Sequence, residues 1–123
     1  MDPVTLIVLA NEFTLHRLAP DAPIPEGVTR GTTWWVGRTA DELSIVCDGA
    51  IPVPDARSEP GWSAFRVAGT IDFAVTGLLA RISVVLAEAE ISLFALSTFD
   101  TDYVLVRCEQ LSAALARLRE AGF

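Results

Sequence analysis

Few residues in this chain could do covalent or acid–base chemistry. A nucleophile needs a base beside it, and the only histidine is His16. Cys47 and Cys108 lie far apart, and neither stands at a metal-ligand or redox-pair spacing. Asp100 and Asp102 form a carboxylate pair that could in principle act as acid and base. They sit in a polar connection, Thr98-Phe99-Asp100-Thr101-Asp102, where nothing would raise one of the two pKa values. No phosphate-binding loop or dinucleotide glycine pattern appears, and no ligand set for a metal is visible. These residues describe a non-enzymatic protein with no catalytic, cofactor-binding or metal-ligating constellation. His16 reads as structural or solvated, on a strand edge.

The bulk properties narrow the partners. The 123 residues suit one compact domain, or two very small ones sharing a sheet. With 51% of residues apolar, a core forms without disulfides. The formal net charge is −7, with nine dispersed basic residues. That excludes a basic groove for nucleic acid and attraction to an anionic membrane surface. No apolar run is long enough to cross a bilayer. Met1-Asp2-Pro3 offers no basic n-region of a signal peptide. The expectation is a cytoplasmic protein with both cysteines reduced, as strand residues.

The elements follow from periodicity. Residues 5–9 read as a buried strand, Asn11-Glu12 as a turn, and 13–18 as a half-buried strand. Three prolines between Pro20 and Gly27 forbid a long helix there. Residues 32–37 are strand-like, with Trp34 and Trp35 on opposite faces, and 43–47 form another strand. Residues 48–61 hold three prolines and read as a loop, and 64–68 as a strand. Val75, Leu78, Leu79, Ile82, Val85 and Leu86 then mark one face of a helix of about four turns. Strands at 91–97 and 103–107 follow. Leu111, Ala114, Leu115 and Leu118 mark a second helix, ending at Gly122.

The chain also repeats itself. A shift of 59 residues lays Trp34–Asp41 over Leu93–Asp100, with Thr39 on Thr98 and Asp41 on Asp100. Ile45-Val46-Cys47 then falls on Val104-Leu105-Val106. Each half therefore contains a strand, a connection and a hairpin. The connection is a helix in the second half and a proline-rich stretch in the first.

The segments Val67–Leu79, Leu86–Phe94 and Ser97-Thr98 resemble the regulatory ACT domains of aspartate kinases. With the hairpin Ser97–Val106, the whole chain is similar to small stand-alone tandem-ACT proteins, a module shared with the CASTOR-type arginine sensors of animals. The resemblance implies an α+β, ferredoxin-like ACT fold with antiparallel sheets. It implies two βαββ-type units in tandem: a degenerate one over residues 1–57 and a complete one over 58–123. It implies a homodimer that binds a small molecule, an amino acid by preference, at an ACT interface. Three departures carry consequences: the first unit lacks a proper helix and so is expected to have no ligand site of its own, and two others follow. ACT domains often have glycine where Glu90 stands. The second unit also stops before a last strand, which residues 5–9 would have to supply.

In an ACT unit, the loop from first strand to first helix gathers free backbone N–H groups, which attract a carboxylate. Here that loop runs from Gly69 through Ile71, Asp72, Phe73 and Val75 to Thr76, and Gly69 and Gly77 permit close backbone approach. An amino acid's ammonium group needs acceptors, and Asp72, Asp100 and Asp102 are the candidates. By resemblance to the arginine sensors, Thr98, Phe99 and Asp102 line the ligand. Simpler roles compete with these. Asp72 is placed to cap the helix, Thr76 to lie on its surface, Asp100 and Asp102 to make Asx turns, and Phe99 to serve as a dimer contact. Trp34, Trp35 and Trp62 read as core or interface residues. The rival function is a protein-interaction module without a small-molecule ligand.

Overall fold

The computed structural model describes residues 5–68 and 77–123. Six strands appear: β1 (Leu6–Leu18), β2 (Trp35–Arg38), β3 (Leu43–Asp48), β4 (Arg57–Val67), β5 (Leu93–Ser97) and β6 (Asp102–Arg107). Two α-helices follow β4 and β6 respectively: α1 (Leu78–Glu88) and α2 (Leu111–Glu120). The strands are hydrogen-bonded in the order β2-β3-β1-β4-β6-β5. Contacts divide the chain into two compact units. One is Asn11–Trp62, and the other joins the residues up to Ala10 with Ser63–Phe123.

The C-terminal unit has the core that the periodicity predicts. Phe65 and Val67 of β4 and Val104 and Val106 of β6 alternate onto one face, as strand geometry requires. Leu78, Ile82 and Leu86 of α1 and Ala114 and Leu118 of α2 complete the cluster. Fully burying each such Val, Leu or Phe contributes about 1.5–3 kcal/mol. The missing last strand is supplied as expected. The Ala68 N–H donates to the Thr5 carbonyl at 2.8 Å, and β1 lies next to β4 in the strand order.

Both helices of this unit end in the same way. Beyond α2, the Gly122 N–H donates to Arg119 and the Phe123 N–H to Leu118, with Gly122 at φ 97°. Beyond α1, the Glu90 N–H donates to Ala87 and the Ile91 N–H to Leu86, with Glu90 at φ 59°. Each is a Schellman motif, whose left-handed residue is usually glycine. Glu90 therefore keeps the conformation of the glycine it replaces.

The N-terminal unit packs Leu18, Leu43, Ile45 and Cys47 around Val28. Where the other unit has a helix, this one has only a 3-10 turn, Val28–Arg30, which buries a single valine. The proline-rich segment before it is pinned by Arg38, whose guanidinium donates to the carbonyls of Pro20 and Ala22. The register of its hairpin matches the other's. Trp35 pairs with Val46 in one, and Phe94 with Leu105 in the other, the correspondence that the 59-residue shift predicts.

Several expectations need correction. No turn interrupts β1 at Asn11-Glu12. The Asn11 side chain donates to Asp48 at 3.0 Å, and the Glu12 carbonyl accepts from Gly49 at 2.9 Å, so both polar residues belong to the sheet. β4 begins at Arg57, inside the segment read as loop, and β2 begins only at Trp35. α1 starts at Leu78, with Gly77 at φ 85° as its N-cap. His16 is not on a strand edge. β1 lies between β3 and β4 in the strand order, and His16 is 7% exposed. Cys108 lies in a 3-10 turn, Cys108–Gln110, rather than in a strand, and both cysteines are free thiols.

Candidate functional site

The hairpin between β5 and β6 is built on a threonine. The Thr98 N–H donates to the Thr101 carbonyl at 2.8 Å, and its hydroxyl accepts from the Thr101 N–H at 3.3 Å. The same pattern closes the N-terminal unit's hairpin. There the Thr39 N–H donates to the Glu42 carbonyl at 2.9 Å, and the Thr39 hydroxyl accepts from the Glu42 N–H at 3.2 Å. The Thr98 hydroxyl is thus committed to its own turn.

Thr101, which the sequence reading did not single out, does something further. It is buried, and its hydroxyl donates to the Val67 carbonyl at 3.1 Å. Val67 is the last residue of β4. One hydrogen bond therefore holds the hairpin against the end of β4. The cue in the sequence is a hydroxyl residue at the position where the first repeat has Glu42.

The remaining hairpin residues differ in exposure. Phe99 is 81% exposed, the most of any large apolar side chain among the described residues. Asp100 is exposed and Asp102 half-buried. Ser97 and Asp102 face each other across the strands, and the Ser97 hydroxyl donates to Asp102 Oδ1 at 2.6 Å. Cross-strand bonding thus fixes one carboxylate oxygen at the sheet's end.

Gly77 is the N-cap of α1, in the left-handed region, and α1 has no side-chain cap. The capping expected of Asp72 falls on a residue outside the described ones. Gly69, Ile71, Asp72, Phe73, Val75 and Thr76 lie outside the described residues. The structure brings together Thr98, Phe99, Asp100 and Asp102 by way of Thr101.

His16 has no part in this site. Its Nδ1 is 2.7 Å from Ser58 Oγ, and its buried Nε2 has no hydrogen-bond partner among the described residues. Burial lowers its pKa, because it takes the charged imidazolium out of water. Burial also raises the Cys47 thiol, with a further push from Asp48. Among the described residues, no group of three His, Cys, Asp or Glu side chains could hold a metal ion. No described helix is long and apolar enough to cross a membrane.

Two cavities lie in the C-terminal unit away from the hairpin. An apolar groove of about 320 Å³ runs along Ala80, Val84 and Val85. At its end, the Arg81 guanidinium stacks 4.8 Å from the centre of the Phe123 ring. A cleft of about 220 Å³ opens between Leu6 and Val8 of β1 and Leu115, Arg119 and Phe123.

Comparison with known proteins places these features in a family. The ACT-domain model matches residues 57–120, and a second model, for an N-terminal domain, matches residues 11–53. The chain is similar to a protein of Agobacterium tumefaciens solved by X-ray crystallography, at 34% identity. The match covers 99% of this chain and 91% of that one, with a TM-score of 0.90. A Vibrio cholerae protein of unknown function, described as a possible transport protein, aligns with a TM-score of 0.74 at 16% identity, over 98% and 91% of the two chains. The ligand-free regulatory subunit of aspartate kinase from Thermus thermophilus aligns with a TM-score of 0.70 at 14% identity, over 98% and 99%. These last two likenesses are of fold alone. No protein of curated function matches the sequence. The family model spans more than half of the chain, and the chain belongs to the ACT-domain family.

Proposed function

We propose that this protein is a non-catalytic regulatory sensor, a cytoplasmic homodimer that binds an amino acid beside the Thr98–Asp102 hairpin and the loop from Gly69 to Gly77. The observation that carries the reading is the hydrogen bond from Thr101 to the Val67 carbonyl, which holds an acidic hairpin against the end of β4, the strand that precedes residues 69–76 in the sequence. Asp100 and Asp102 supply acceptors for an ammonium group, and exposed Phe99 supplies an apolar face for a side chain. The loop's backbone N–H groups would take the carboxylate. Likeness in fold to an aspartate kinase regulatory subunit adds support. The proposed partners are a small molecule and a second copy of the chain, with neither nucleic acid nor membrane.

The test is thermal stability against each of the twenty amino acids. A ligand at 100 times its Kd adds about 2.7 kcal/mol, roughly 10 °C for a chain of this length. Asp102→Asn removes the charge yet keeps an acceptor for Ser97. The reading expects a selective shift that this variant weakens. No shift with any amino acid at millimolar concentration would overturn it. The rival interaction module then leads, with Phe99 and Trp34, 81% and 38% exposed, as its contact residues.

A further inference from the structure

The helix α1 is apolar on nearly every side. Within Leu78–Glu88, only Arg81, Ser83 and Glu88 are polar. A helix of that kind is normally covered all round. Leu78, Ile82 and Leu86 face the core. Ala80 and Val84, one turn apart on another face, are exposed. Val84 is 54% exposed, more than any other large apolar side chain among the described residues except Phe99. The exposed positions of α2 instead carry Ser112, Arg117, Arg119 and Glu120. The outer face of α1 is therefore composed for contact with something apolar.

The groove along this face states the size and charge of that occupant. Its volume is about 320 Å³. At a water's share of about 30 Å³, that is room for about ten non-hydrogen atoms. Ala80, Val84 and Val85 line it from α1, and Ala121 and Phe123 from beyond α2. Among the described residues that line it, Arg81 alone has a charged side chain. The chain as a whole carries sixteen acidic against nine basic residues. An apolar slot that holds one cation and no acid selects an anion with an apolar body.

The setting of Arg81 points to the kind of anion. Its guanidinium lies over the Phe123 ring, 4.8 Å from the centre. Stacking fixes the plane of the group, and its N–H donors lie in that plane. A fork held in this way matches a carboxylate, which accepts two parallel N–H···O bonds. The electrostatics of α1 give no reason of their own for this residue. The first four residues of the helix hold this cation and no acid, the reverse of what a helix N-terminus favours.

We propose that the groove binds a small aliphatic monocarboxylate, of the size of octanoate, with its tail along Ala80, Val84 and Val85 and its carboxylate on Arg81. Octanoate, with eight carbons and two oxygens, fills the volume of about ten atoms. A free amino acid does not fit, because its ammonium group would meet a guanidinium and no carboxylate. The site thus stands apart from the one proposed at the hairpin. The neighbouring cleft, which shares Phe123, also has an arginine, Arg119. Its volume of about 220 Å³ holds only about seven atoms. That is below the range of about 300–1,000 Å³ usual for ligand sites, and the guanidinium laid on the shared ring is that of Arg81.

The experiment is a titration of the purified chain with sodium octanoate, read by NMR at the methyl groups of Ala80, Val84 and Val85. It runs to roughly 20 mM, because a ligand of about ten atoms binds with a Kd on the order of 1 mM. Saturable shifts at these methyls are expected. Octylammonium keeps the tail and reverses the charge, and acetate keeps the charge and loses the tail. Each should bind at least tenfold more weakly. Arg81→Gln should weaken octanoate at least tenfold with an unchanged circular dichroism spectrum. Val84→Glu places an acid in the slot and should abolish the shifts, whereas Arg119→Gln should leave them intact. Absence of shifts, equal binding of octylammonium, or wild-type affinity in Arg81→Gln or Val84→Glu would each overturn the proposal. Shifts of the same methyls on diluting the protein without octanoate would give the groove to a second copy and overturn it as well.

Discussion

Replacing Glu90 by glycine should make the protein more stable, although the substitution deletes a side chain and adds no contact. Glu90 sits at φ 59° in the Schellman motif that ends α1. Left-handed backbone costs an L-residue about 1–2 kcal/mol, through the clash of Cβ with the following carbonyl. Glycine escapes that clash but is freer in the unfolded chain, which returns about 0.5–1 kcal/mol. The net gain is about 0.5–1 kcal/mol, or roughly 2–5 °C in Tm for a chain of this size. A second effect must be separated from the first. Glu90 is an exposed acid at a helix C-terminus, where negative charge is unfavourable by about 0.3–1 kcal/mol. Glu90→Gln removes the charge and keeps the Cβ, and Glu90→Ala removes everything beyond it. The assay is thermal and urea unfolding of all three variants side by side. The backbone argument requires Gly to exceed both Gln and Ala by at least half a kcal/mol, and Gly122→Ala to lose a similar amount at the end of α2, where φ is 97°. Equal gains from Gly, Ala and Gln would refute it and leave charge as the whole effect.

Two further outcomes follow from named hydrogen-bonding groups. Burial holds the folded pKa of His16 below its unfolded value. The unfolded state therefore binds the extra proton first, and this contribution to stability is lost as pH falls from 7 through the unfolded pKa of about 6.5 towards the folded one. Urea midpoints of the wild type should drop over that interval, and His16→Gln should flatten the drop; an unchanged slope would show that other groups cause it. Thr101→Val keeps the shape of a buried side chain and removes the donor to the Val67 carbonyl. It should cost about 1–2 kcal/mol and shrink any amino-acid-induced thermal shift; full stability in this variant would mean that the hairpin is held by other contacts.

The fold was legible in the sequence wherever one side-chain period reports one buried face. The α1 stripe at Leu78, Ile82 and Leu86 and the β6 alternation at Val104 and Val106 are of that kind. The 59-residue repeat proved true down to strand register, because the pairs Trp35–Val46 and Phe94–Leu105 are equivalent. Errors arose where a residue's partner is distant in sequence. Asn11 and Glu12 look like a turn until Asp48 and Gly49 are seen to bond them. Pro60 and Gly61 look like a linker, yet proline keeps an extended φ, and Gly61 at φ 84° absorbs a local departure within β4. The apolar stripe overran the start of α1 by three residues because hydrophobicity does not register the positive φ of Gly77. Of the candidate site, the hairpin residues were legible as a motif, but Thr101 was not. A threonine in a turn gives no sign that its hydroxyl reaches a carbonyl on another strand.

The comparison of the two hairpins bears on why only one should serve a ligand. Both close on a threonine whose N–H and hydroxyl bond the residue three positions later. That geometry is common to both units, so it is not what distinguishes them. In the C-terminal unit the later residue is Thr101, and its spare hydroxyl ties the hairpin to the end of the strand that leads into a helix. In the N-terminal unit it is Glu42, and the connection holds a three-residue 3-10 turn in place of a helix. The tie and the helix are thus present together or absent together. This pairing supports confining the proposed amino-acid site to the C-terminal unit, with the N-terminal unit acting as scaffold. On that view, Thr39→Ala should cost local stability and leave the thermal response to ligand intact, whereas Thr101→Val should diminish both.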